Sequence, residues 1–141
     1  MLWSDFQDTA DRLAAGATEG DWRSAVSRSY YAAFHYFRTF MLTHGVDVGR
    51  GGQSHSSLSS GLMNCGLPLV DSFGRRLDRL RTDRTKADYD FSRPVGHVYA
   101  HGVVRDGRTL PVDFEALLLT LPAASIAAGV RRYLRSIGRI P

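Results

Sequence analysis

The sequence predicts an all-α fold, an up-down antiparallel bundle of four to six helices, on three observations. Apolar residues recur at intervals of three and four along most of the 141 residues. Glycine and proline fall mainly between these periodic segments. Hydrophobic residues make up 43% and charged residues 23% of the chain, which is typical of globular proteins. We therefore expect residues 1–141 to form one helical domain.

The first two predicted helices have recognisable starts and ends. Ser4 and Gln7 have the spacing of a capping box, and Gly16 follows the last periodic residue of the first helix. Asp21 can cap the second helix, which has no glycine or proline before Gly45. We expect its apolar stripe to be buried, namely Val26, Tyr30, Ala33, Phe37 and Met41. The neighbouring stripe has mixed polarity and consists of Arg28, Tyr31, His35, Arg38 and Leu42.

Two further helices are predicted after a glycine-rich loop at 45–54. A short one is predicted over 56–65, where serine and glycine weaken the helical pattern. A longer one is predicted over 69–88, with an apolar stripe formed by Val70, Phe73, Leu77 and Leu80. Its outer face carries Arg75, Arg76, Arg79, Arg81 and Arg84.

The segment 91–110 is predicted to be an inserted loop, because a proline and three glycines interrupt it. These are Pro94, Gly96, Gly102 and Gly107. Its only regular structure is a brief hairpin that 98–99 and 103–104 could form. A last helical region is predicted over 111–137, beginning near Asp113 and split by Pro122.

Charge and targeting signals favour a cytoplasmic protein without a membrane anchor. The net charge is +4, and Lys86 is the only lysine, so nearly all the positive charge is arginine. Arginine binds phosphate well, although a coding bias towards arginine explains the count equally well. Cys65 is the only cysteine, which excludes an internal disulfide. The N-terminus lacks the pattern of a signal peptide, and the apolar stretch 116–130 is too short to span a bilayer.

No motif for a metal, a cofactor or a nucleotide phosphate loop is present, so we expect neither a metal nor a cofactor. His97 and His101 are four residues apart, a spacing that suits a metal ion only on a helix. The neighbouring Gly96 and Gly102 argue against a helix there.

Arginine, histidine and tyrosine residues in the middle of the chain are the candidates for chemistry. Arg28, Tyr31 and His35 stand at i, i+3 and i+7, which places them on one face of a helix. Arg84 and Asp88 stand at i and i+4 and can form an ion pair. Each also fits a structural role, since such pairs are often solvated and a histidine often fills a gap between helices.

Together these residues resemble the HEPN superfamily. The runs SRSYYAAFH (27–35), QSHSSL (53–58) and RTKADYD (84–90) match, in order and spacing, a branch with an R-x-Y-Y-x-x-F/Y-H helix and an R-x-x-A-D-Y helix. The resemblance covers about residues 20–90. It implies a four- or five-helix bundle, a homodimer, and an RNA or nucleotide ligand. It also implies a nucleotidyltransferase partner in a toxin–antitoxin or other defence module.

The resemblance implies two readings of the function. Active HEPN ribonucleases carry R-x(4–6)-H and cut RNA without a metal, which nominates Arg28 and His35 as catalytic, with His55 the alternative base. Arg38–His44 and Arg50–His55 fit the same pattern, and chance alone gives about two matches in such a composition. The second reading is a non-catalytic module that binds RNA, a nucleotide or a protein partner. The matched blocks nominate Tyr31, Arg84 and Asp88, together with Arg38, as its binding residues.

Overall fold

The computed structural model describes all residues from Met1 to Pro141 and contains six α-helices and no β-strand, which confirms the all-α prediction. The helices are α1 (Trp3–Ala14), α2 (Glu19–Thr43), α3 (Gln53–Met63), α4 (Pro68–Tyr89), α5 (His97–Leu117) and α6 (Ala123–Ser136). None of them combines the length and the hydropathy that crossing a lipid bilayer requires.

Helix α2 is the centre of the bundle and packs against α1, α3, α4 and α5. The stripe predicted to be buried is buried, since each of its five residues is at most 1% exposed. The stripe predicted for α4 is also buried, and both stripes belong to the same core cluster. The amphipathic pattern of these two helices therefore gave the correct core face.

Helices α3 and α4 approach each other closely at Gly74. A Cβ atom at this position would lie 2.6 Å from the carbonyl oxygen of Ser59 and 2.8 Å from the backbone nitrogen of Met63. Because the α3 backbone occupies this space, only glycine allows the observed contact. The contact sets how α3 is placed against α4.

The prediction of a loop and hairpin at 91–110 is wrong, because residues 97–117 form the single helix α5. Gly107, one of the interrupting residues, is buried where α5 packs on the bundle, and so is Pro111, which lies just beyond the predicted loop. A Cβ atom at Gly107 would overlap the hydroxyl of Ser29 on α2. Glycine is therefore present for close packing, which is a tertiary requirement that outweighs its low helix propensity. Asp113 lies inside α5 and does not begin a helix.

Several predicted helix ends also shift. Thr18, not Asp21, caps α2, and its Oγ1 accepts a hydrogen bond from the Asp21 backbone N–H at 3.2 Å. Helix α1 begins at Trp3, and the Asp5 carboxylate accepts a hydrogen bond from the Leu2 N–H. The prediction that Pro122 splits the C-terminal region is correct, because α6 begins directly after it.

We expect Gly74→Ala to lower the free energy of unfolding by about 1–3 kcal/mol, because the added methyl group overlaps the α3 backbone. The control is Gly102→Ala in α5, where a Cβ atom meets nothing within 4 Å. That change should leave stability equal or raise it by up to about 1 kcal/mol, because alanine is the better helix former. Urea denaturation of both variants measures the difference. Equal stability would contradict the close α3–α4 contact.

Candidate functional site

Tyr31 on α2 is the centre of a cluster of cationic and aromatic side chains. Two guanidinium carbons lie over its ring, that of Arg28 at 5.1 Å and that of Arg84 at 5.2 Å from the centroid. Arg28 also lies 5.6 Å from the ring centroid of Phe6 on α1. Cation–π contacts of this kind hold a guanidinium in place without neutralising its charge.

The cluster also contains two histidines, His35 on α2 and His55 on α3. The Tyr31 ring centroid lies 6.2 Å from that of His35 and 6.0 Å from that of His55. The Phe34 ring stacks on His55 at 4.3 Å and meets His35 edge-on at 5.3 Å. Phe6 covers His35 at 5.0 Å. Helices α2 and α3 thus bring the two imidazoles to the same two aromatic residues, Tyr31 and Phe34.

Both imidazoles have a lowered pKa. Burial lowers the pKa of His35 most, and the positive charges of Arg38 and Arg28 lower it further. Burial likewise lowers the pKa of His55, followed by the charges of Arg81 and Arg84 and then by His35. A lowered pKa keeps an imidazole neutral near pH 7, which is the state in which it can accept a proton.

His55 has a further partner in the core. Its Nδ1 lies 2.6 Å from the hydroxyl oxygen of Tyr30, a residue that is 1% exposed. Burial raises the pKa of the Tyr30 hydroxyl, so this group keeps its proton. Tyr30 therefore belongs to the buried apolar stripe of α2 and also contacts the site.

Asp88 is the acidic residue of the cluster. Its Oδ2 lies 2.9 Å from Nε of Arg84 and accepts a hydrogen bond from the Ser27 hydroxyl at 3.1 Å. The ion pair is not also a hydrogen bond, so the buried Nε–H of Arg84 has no acceptor. The side chains of Arg84 and Asp88 are 21% and 27% exposed. The pair is therefore partly buried, whereas the purely structural interpretation expected a solvated pair.

Positive charge exceeds negative charge on this face. Arg28, Arg38 and Arg81 form no ion pair, although the backbone carbonyl of Gly49 accepts a hydrogen bond from Arg38 Nε at 3.1 Å. By contrast, two other arginines of α4 are neutralised, since Arg75 pairs with Asp71 and Arg76 with Asp113, each at 2.9 Å. The unpaired guanidinium groups leave the face open to an anionic ligand.

The structure brings together the residues that the sequence nominated, namely Arg28, Tyr31, His35, His55, Arg84 and Asp88, with Arg38 one turn further along α2. It corrects the outward placement of Arg84, which is half-buried in this cluster. Sequence reasoning missed Phe6, Tyr30 and Arg81 as members. Tyr30 belongs to the apolar stripe of α2, so it was assigned to the core alone, and Arg81 was placed on the outer face, whereas Phe6 was not singled out.

In each of the two alternative R-x-H pairs, one residue lies outside the cluster, His44 in one and Arg50 in the other. Nδ1 of His44 contacts the Phe40 carbonyl oxygen at 2.9 Å within the same helix, and the carbonyl of His44 accepts a hydrogen bond from Arg131. Arg50 is exposed in the loop before α3. Of the pairs that match the pattern, Arg28 and His35 are therefore the two that contact the same aromatic ring, that of Tyr31.

The geometry of His97 and His101 differs from the expected one. Both lie on α5 at i and i+4, and their ring centroids are 4.3 Å apart. The prediction that Gly96 and Gly102 prevent a helix here is therefore wrong. The chain contains no group of three or more histidine, cysteine, aspartate or glutamate side chains that could hold a metal ion.

The fold and this face define a helical bundle that presents arginines, histidines and aromatic rings at the meeting point of α1, α2, α3 and α4. A family model described as "HEPN domain" matches residues 5–109. The chain therefore belongs to the HEPN family, whose members commonly cleave RNA or bind nucleotides. The match extends into α5, so the segment interpreted as an inserted loop is part of the family domain. Searches of curated proteins and of solved structures gave no match.

We expect Arg38→Gln to raise the pKa of His35, because removing a nearby positive charge favours the imidazolium form. The wild-type midpoint should lie below about 6.5 and the variant midpoint closer to that value. A pH titration of the histidine ring signals by NMR measures both. Arg105→Gln is the control, because Arg105 is exposed on α5. An unchanged His35 midpoint in Arg38→Gln would contradict the electrostatic coupling.

Proposed function

We propose that this chain is a metal-independent endoribonuclease in which His35 is the general base and Arg28 stabilises the transition state. The observation that carries the proposal is the placement of Arg28 and His35 around one Tyr31 ring, on a face with three unpaired guanidinium groups. A neutral imidazole and an unpaired guanidinium are the two groups that RNA cleavage by transesterification needs.

The reaction balances with groups of the chain and water. Neutral His35 takes the proton of a ribose 2′-OH, and the resulting oxygen attacks the adjacent phosphorus. Arg28 donates hydrogen bonds to the phosphorane oxygens, on which negative charge increases. The bond from phosphorus to the 5′ oxygen breaks, and water or an imidazolium supplies the proton of the new 5′-OH. The products are a 2′,3′-cyclic phosphate and a 5′-OH end.

The location, oligomeric state and partner of the protein are the second part of the proposed function. We propose that it acts on cytoplasmic RNA as a homodimer, with a nucleotidyltransferase antitoxin as the protein that restrains it. The support is membership of the HEPN family together with the sequence blocks at 27–35 and 84–90. Light scattering of the purified chain measures the oligomeric state, and a monomer at working concentrations would contradict the homodimer.

We expect the wild-type protein to cut a labelled tRNA pool in EDTA into discrete fragments that end in a cyclic phosphate. His35→Ala should lower the cleavage rate by about 10²–10⁴-fold, because the general base is lost. Arg28→Ala should lower it by about 10²–10³-fold, because charge on the phosphorane is no longer stabilised. Gel analysis and end-group labelling measure both effects.

His101→Ala and Arg105→Ala are the matched controls, because both residues are exposed on α5. Each should keep the wild-type rate. His55→Ala tests the alternative base. Cleavage that survives in both His35→Ala and His55→Ala would exclude the proposed mechanism, and circular dichroism of the variants shows whether the fold is intact.

The second candidate is a non-catalytic module that binds RNA or a nucleotide. The favouring observation is that both imidazoles pack against Phe34, while the charged groups that remain free are arginines. Guanidinium groups bind phosphate without any cleavage step. Tyr31 and Phe6 then supply aromatic surface beside the phosphate contacts.

If the chain binds without cutting, we expect the affinity for single-stranded RNA to fall steeply as salt rises. Replacing Arg28 or Arg84 by Ala should weaken binding and reduce the slope of log K against log salt by about 0.7 each, the value for one phosphate contact. Arg75→Ala is the control, because Arg75 is exposed and paired with Asp71. Fluorescence anisotropy measures these affinities. Binding that is insensitive to salt would contradict a phosphate-binding face.

A further inference from the structure

The contact between Tyr30 and His55 links the core of α2 to an imidazole of the site. The Tyr30 hydroxyl oxygen and His55 Nδ1 are 2.6 Å apart, and this is the hydrogen bond that the hydroxyl makes. Phe34 stacks on the same imidazole at 4.3 Å, so the ring plane is restrained as well. His55 is therefore held by its ring face and by one of its two nitrogen atoms.

Either the Tyr30 hydroxyl or Nδ1–H of His55 could donate this hydrogen bond, and the need to satisfy the buried hydroxyl hydrogen decides between them. A tyrosine hydroxyl has one hydrogen to donate and lone pairs that can accept. Leaving the lone pairs without a donor costs less than leaving the hydrogen without an acceptor. If Nδ1–H donated to Tyr30, the buried hydroxyl hydrogen would have no acceptor, which is unfavourable. If Tyr30 donates, its hydrogen is satisfied by Nδ1, and the proton of the neutral imidazole must lie on Nε2.

We propose that Tyr30 is a positioning residue that holds neutral His55 in the tautomer with its proton on Nε2. His55 then presents a hydrogen-bond donor to a ligand on the face and has no free nitrogen lone pair. His35 makes no hydrogen bond through its ring nitrogens within the chain, so it alone is free to accept a proton. The consequence for catalysis rests on the proposed function: His35 is the base, and His55 donates to a phosphate oxygen.

The surroundings of His55 act in the same direction. Protonation of His55 would place a hydrogen on Nδ1 and remove the acceptor of the Tyr30 hydroxyl. Arg81 and Arg84 on α4 and His35 on α2 each oppose a positive charge on the ring and lower the pKa of His55. The other titratable side chains that contact the ring are Tyr30 and Tyr31. Tyr30 and the two arginines together therefore favour the neutral donor form.

Long-range ¹H–¹⁵N NMR spectra of the free wild-type protein test the tautomer directly. We expect the His55 ring proton to be found on Nε2 alone, with Nδ1 showing the shift of an unprotonated acceptor nitrogen. A proton on Nδ1, or a mixture of the two tautomers, would overturn the proposal. This measurement needs no variant and no RNA, so its result is independent of the proposed ribonuclease activity.

Tyr30→Phe removes the hydroxyl and keeps the buried ring. We expect the pKa of His55 to rise by about half a unit to one unit, because the lost hydrogen bond favoured the neutral form. Tyr36→Phe is the matched control, since Tyr36 is a second buried tyrosine of α2 and its hydroxyl donates to Glu115 at 2.5 Å. It should leave the His55 titration unchanged. An unchanged pKa in Tyr30→Phe would contradict the positioning role.

The pH–rate profile of RNA cleavage separates the two histidines. In Tyr30→Phe the rate should fall several-fold, while the midpoint of the limb that reports the general base stays where His35 places it. A shift of that midpoint would mean that His55 is the base and would overturn the division of roles. Absence of cleavage by the wild-type protein would instead reject the proposed function and leave the tautomer result standing.

Discussion

The packing of α2 against four other helices is the constraint on which the rest of the structure depends. A helix that contacts neighbours on several sides has little surface left for solvent, so its polar side chains must share one narrow strip. On α2 that strip carries Arg28, Tyr31, His35 and Arg38 at intervals of three and four residues. Because α1, α3 and α4 border it, residues distant in sequence, such as Phe6, His55 and Arg84, join the same face.

The arginines of this protein are held in two different ways. Arg75 and Arg76 on α4 are neutralised by carboxylates, and these exposed pairs contribute little to stability. Arg28 is held by the π faces of Phe6 and Tyr31 and keeps its full charge. The aromatic residues of the face therefore fix the position of the charge without neutralising it, so that the charge stays available to an anion. This difference separates an arginine that is held with its charge free from a solvated, paired one more clearly than sequence spacing does.

Sequence periodicity was sufficient for the helices whose apolar stripe is uninterrupted. The stripes of α2 and α4 predicted the core, and the spacing of Arg28, Tyr31 and His35 placed them correctly on one face. Helix α5 was missed because Pro94, Gly96, Gly102 and Gly107 have low helix propensity. The contact with Ser29 that requires glycine at 107 is not visible in the sequence. The membership of Tyr30 in the site was missed for a related reason. A ring in an apolar stripe indicates burial, whereas the partner of its hydroxyl lies on another helix.

In the proposed cleavage reaction, the arginines beside His35 have two effects, one before and one after a phosphate binds. In the free protein, Arg28 and Arg38 lower the pKa of His35, which keeps the imidazole neutral and able to accept a proton. When a phosphate binds, its negative charge offsets the guanidinium charges and makes the imidazolium less unfavourable. In the proposed reaction, a bound phosphate therefore favours proton transfer from a ribose 2′-OH to His35. In that proposal, the excess of positive charge on this face both attracts a phosphate and links protonation of His35 to its presence.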